Sequence, residues 1–187
     1  MGGMQATSAL HQRQSALIAT NIRWLRQALS LLDRLDDTIY SAAVPGFAPH
    51  RAGAHLRHVL EFYQCFLDDL DSSHIDYDAR RRDESIECSR HAASIAIRSI
   101  IHALDSRAEL GERIVWVRME DAEASGVGNS FMESSVSREL QVLSSHTVHH
   151  FALIAMTLRA LGVQIDPDFG MAPSTIRYLA SKTTEAA

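Results

Sequence analysis

The chain has 187 residues, 46% of them hydrophobic, enough to build one domain over 1–187 around a sizeable core without crosslinks. A formal net charge of −5 builds no positive field, so nucleic acid and membrane surfaces are set aside as partners. Cys65 and Cys88 are too few for a disulfide framework, Met1 to Gln14 has no apolar leader core, and no run reaches the ~20 apolar residues of a bilayer span, so a reducing, cytoplasmic location is expected.

From about Thr7 to Thr38 no Pro or Gly interrupts the chain, and Ile18, Ile22, Leu25, Leu29, Leu32 and Leu35 recur at three- and four-residue steps. That spacing predicts one long amphipathic helix, with Trp24, Ala28 and Leu31 widening the stripe to face two neighbours. Pro45, Gly46 and Pro49 break it. A second helix is expected over Ala52 to Leu70, with Leu56, Val59, Leu60, Tyr63, Phe66, Leu67 and Leu70 inside. The polar stretch Ser72 to Asp83 reads as a crossover loop, and Arg80 to Arg82, between Asp78 and Asp83, as a salt-bridged basic run. A third helix follows over Ser85 to Leu104.

Ile114 to Val117 are strand formers, Ser125 to Asn129 supply turn residues, and a second short strand near Phe131 to Glu133 would close a hairpin. Ser134 or Ser135 caps the last long helix, Val136 to Leu161, which Gly162 ends, and Ser174 to Ser181 forms a short terminal helix. The predicted fold is all-α: an up-down four-helix bundle with a small β-hairpin or irregular crossover between its third and fourth long helices.

Ten histidines are distributed unevenly: His55 and His58 share the second helix, and His146, His149 and His150 the fourth. Residues four apart lie one turn apart, so His146 and His150 can direct two imidazoles at one ion. Both fall on or beside the apolar stripe of Val136, Leu140, Leu143, Thr147 and Ile154. A buried imidazole without a partner is costly, and a metal satisfies two at once. Zinc, nickel, cobalt and ferrous iron all accept neutral imidazole, and the third ligand is to come from His55 or His58. Thr147 stands where HExxH proteases carry their glutamate, and no GxSxG elbow, P-loop or GxGxxG fingerprint is present.

The stretches Ala54-His-Leu-Arg-His-Val-Leu-Glu-Phe-Tyr63 and Ser137-Arg-Glu-Leu-Gln-Val-Leu-Ser-Ser-His-Thr-Val-His-His-Phe151 resemble the DinB-like family of metal-binding four-helix bundles. The resemblance implies His58, His146 and His150 as ligands of a divalent ion, zinc or nickel foremost, with iron, cobalt or manganese as alternatives. His55 and His149 are then neighbours of the site or alternates. It also implies a small-molecule S-transferase or hydrolase that works through a low-molecular-weight thiol or water. Glu61 is the candidate orienting carboxylate, and Tyr63, Arg57 and Arg138 are candidate substrate contacts. Each has a plainer reading: Glu61 pairs with Arg57 across one turn, Tyr63 is core, and Cys65 is buried and inert. The competing function is a non-catalytic, metal-stabilised bundle, a dimerising or stress-response accessory, and a homodimer is expected in either case.

Overall fold

In the computed structural model, residues 2–46, 50–107, 113–119 and 131–185 are described, with side chains from 12 to 182. They form seven helices and a small three-stranded sheet: α1 (Gly2–Leu32), α2 (Asp37–Ser41), α3 (Ala52–Asp69), β1 (His74–Asp76), α4 (Glu84–Cys88), α5 (Arg90–Asp105), β2 (Ile114–Arg118), β3 (Met132–Ser135), α6 (Val136–Ala160) and α7 (Pro173–Glu185). The protein is therefore mostly helical. Pro49 and the turn expected at Ser125 to Asn129 lie outside the described residues.

Two expected helices are broken by capping side chains. The first ends at Leu32, and Asp36, in extended backbone, accepts the Ile39 amide at 2.7 Å to start α2. The third divides at Ser89, whose hydroxyl accepts the Ala92 amide at 3.3 Å and starts α5. Ser and Asp compete with the backbone for its own amides, and here that competition outweighs a continuous apolar pattern.

Within the stretch read as a loop, β1 pairs parallel with β2, and β2 pairs antiparallel with β3, giving the order β1-β2-β3. The sheet thus has one strand more than the expected hairpin. Ser135 caps α6 by accepting from the Arg138 amide, and Gly162, at φ +82°, turns the chain out after it.

α3 packs along both α5 and α6, and α1 along the same two helices. Their buried faces meet in one apolar cluster that includes Leu25, Leu60, Phe66, Ile97, Leu104, Leu143 and Phe151. A short polar seam crosses it. Tyr63 donates to Asn21 Oδ1 at 2.6 Å and contacts Thr147 Oγ1 at 3.1 Å, while Asn21 Nδ2 donates to the Leu140 carbonyl at 3.0 Å. Those bonds pin α1, α3 and α6 in one register at the level of Thr147, next to His146.

Candidate metal centre

The interface of α3 and α6 carries the histidines. On α6 the i, i+4 spacing sets His146 and His150 one above the other, and on α3 His58 faces them one residue short of fully buried Val59. Each of the three offers one ring nitrogen, and these nitrogens lie within 4.8 Å of one another. His146 Nε2 stands 3.1 Å from His58 Nε2. Ring centroids are 4.9 Å apart for His58 and His146, 4.6 Å for His58 and His150, and 4.5 Å for His146 and His150.

Two imidazoles on one tetrahedral zinc, each about 2.05 Å from it, would hold their nitrogens about 3.3 Å apart. The spacing of His58 and His146 fits such an ion, and the His150 nitrogen lies within 4.8 Å of both. The donor set also fits, because burial holds all three rings neutral, the form a metal requires. Burial and the neighbouring His150 and Arg80 lower His58 to about 4, burial and His58 lower His146 to about 4, and burial and His146 lower His150 to about 3. His146 Nδ1 is buried without a hydrogen-bond partner.

Other histidines extend the cluster towards solvent. His55 Nδ1 lies 3.1 Å from His150 Nδ1, and exposed His50 stacks on His55 with its Nδ1 3.1 Å from His55 Nε2. His55 therefore adjoins the trio through His150, and His149 is exposed with its ring edge-on to His150. His55 and His50 also border a cleft of about 520 Å³, lined by Val44, Leu153, Met156 and Arg159 among others. This apolar cleft is separated from the cluster by the single imidazole of His55.

The auxiliary candidates take the places of their plainer readings. Glu61 is buried, but it accepts from Arg57 at 3.0 Å and from the Asp83 amide at 2.8 Å, so it ties α3 to the start of α4 instead of orienting His58. Arg57 is held by Glu61 and by Glu87 at 3.0 Å. Tyr63 is fully buried in the polar seam and contacts no substrate space. Arg138 is exposed in the first turn of α6, about 12 Å along the axis from His146. Cys65 is half-buried, with burial and Asp69 pushing its thiol up to about 11, so it stays an inert thiol.

The basic run also behaves differently from expectation. Arg81 pairs with Asp68 at 2.8 Å, as a solvated arginine does. Arg80 instead turns inward, its Nη1 against His58 Nδ1 and its guanidinium 5.0 Å from the centroid of Phe62. Phe62 in turn packs 4.2 Å from the His146 ring and 4.9 Å from His58. Neither residue is visible as part of a site from periodicity, because Phe62 reads as helix core and Arg80 as a charged loop.

No family model matches the chain, and no solved structure matches it. One curated protein does. FK506-binding protein 5 of Rhizopus delemar is 30% identical over 105 residues, which is 56% of this chain. The chain covers only 27% of that protein's length. The likeness is partial. Among the described residues no helix is long and apolar enough to cross a membrane.

Proposed function

We propose that the chain is a DinB-like four-helix bundle, with α1, α3, α5 and α6 as its up-and-down helices, that holds a divalent ion on His58, His146 and His150. Zinc or nickel is the foremost candidate. The observation that carries this reading is the approach of three neutral imidazoles from two helices to within 4.8 Å. Three protein ligands leave an open coordination position, at which an ion makes a bound thiol or water more acidic and so a better nucleophile. The reading is therefore a small-molecule S-transferase or hydrolase using a low-molecular-weight thiol or water. The cleft beside His55 favours it over a purely structural metal site, which would be closed to solvent and substrate.

The test is metal content of tag-free protein, followed by S-transfer with a panel of small thiols. About one equivalent of metal per chain is expected, with His146→Ala and His150→Ala losing most of it while keeping their helical circular dichroism. His58→Ala should lose far more metal than His55→Ala. The opposite ranking would move the third ligand to His55, and unchanged metal content in all four variants would end the proposal.

A further inference from the structure

Arg80 turns towards the histidines without a carboxylate partner. Arg57 has Glu61 and Glu87, Arg81 has Asp68, and Arg118 has Asp76. Among the described residues no acidic side chain comes within ion-pair reach of Arg80, and its Nε is buried without a hydrogen-bond partner. What it touches is the ring of Phe62 and the Nδ1 of His58. Leaving a half-buried guanidinium without an anion is costly, so the arrangement asks what anion it serves.

The tautomers answer part of this. A guanidinium only donates, so His58 Nδ1 must accept, and a neutral His58 then carries its proton on Nε2. That proton points at His146 Nε2, 3.1 Å away, which accepts it and leaves the His146 proton on the orphaned Nδ1. The metal-free network is self-consistent up to that orphan. It is incompatible with a cation on His58. If His58 gives Nε2 to an ion, its proton moves to Nδ1 and faces the N–H groups of Arg80. If it gives Nδ1, the ion replaces Arg80 there. In both cases Arg80 must let go of His58, and a second positive charge is left beside the first with no acceptor.

We infer that Arg80 is the anion-binding group of this centre, which takes the carboxylate of a small ligand seated at the open coordination position. The inference rests on the metal reading above. A carboxylate matches the arginine fork with two parallel N–H···O bonds, and its charge separates guanidinium from metal. Phe62, stacked on Tyr77 at 5.0 Å between centroids, provides the flat support over which the guanidinium swings. The ligand class that this centre selects is thereby a small molecule carrying a carboxylate.

The test uses the full chain loaded with cobalt(II), whose visible bands report its ligands, titrated with acetate. Acetate is expected to shift the bands in the wild type and to bind about tenfold or more weakly in Arg80→Met, at equal cobalt content. Arg80→Lys keeps the charge without the fork and should fall between; it carries the test if Arg80→Met does not fold. Equal acetate affinity in the wild type and a folded Arg80 variant would overturn the inference. So would loss of cobalt from such a variant, which would make Arg80 a support for His58. A wild type that takes up no cobalt would instead strike the metal reading itself, and this inference with it.

Discussion

An imidazole kept neutral by burial stores a pH dependence. His58, His146 and His150 have their ordinary value near 6.5 when unfolded and values of about 4, 4 and 3 when folded without metal. Because the folded values are lowered, the unfolded chain takes up protons first as pH falls. Stability is then complete above about pH 6.5 and declines as pH drops towards 4. Urea melts of metal-free protein between pH 7.5 and 4 should show this, with a shallower decline in His150→Leu; parallel profiles would remove the histidines as the cause. Spacing alone paired His146 with His150, because four residues are one helical turn whatever surrounds them. Spacing could not choose between His55 and His58, since three residues separate them and both share a shoulder of α3; the direction of α6 relative to α3 decides which one meets the pair. Arg80 was out of reach for the same reason, a loop residue whose side-chain direction no periodicity encodes.

At the scale of elements, caps overruled stripes. The apolar series continues through Leu35 and the one from Ile86 continues through Ile97, so periodicity ran straight across Asp36 and Ser89 where a hydroxyl or carboxylate takes a backbone amide and restarts the helix. β1 is only three residues long and forms because β2 offers it a ladder, so its own sequence carries almost no strand signal. The short α4 that follows is what α3 must accommodate. A Cβ placed on Gly53 would sit 2.0 Å from the Glu87 carbonyl oxygen and 3.0 Å from the Tyr40 ring. Gly53→Ala should therefore destabilise the fold by roughly 1–3 kcal/mol, despite the better helix propensity of alanine. A thermal melt at or above the wild-type midpoint would contradict that close approach.

For the whole molecule, an ion that binds the folded chain and not the unfolded one adds to stability by mass action. Zinc at about 100 times its dissociation constant should contribute roughly 2.7 kcal/mol, which for a chain of this size raises Tm by about 5–10 °C. A chelator should reverse the shift without abolishing the folded baseline, because the apolar cluster around Leu60, Phe66 and Leu143 does not depend on the metal. Collapse of the fold on chelation would make the ion structural. The mostly helical class, the four long helices and the pairing of two histidines on the last were decided by the sequence itself, because each follows from a repeat along one segment. The convergence of His58 on that pair, the inward turn of Arg80, the diversion of Glu61 and Tyr63 to structural bonds and the third strand were decided only by tertiary structure. Each of these depends on where one segment lies against another, and no property of a single segment carries that information.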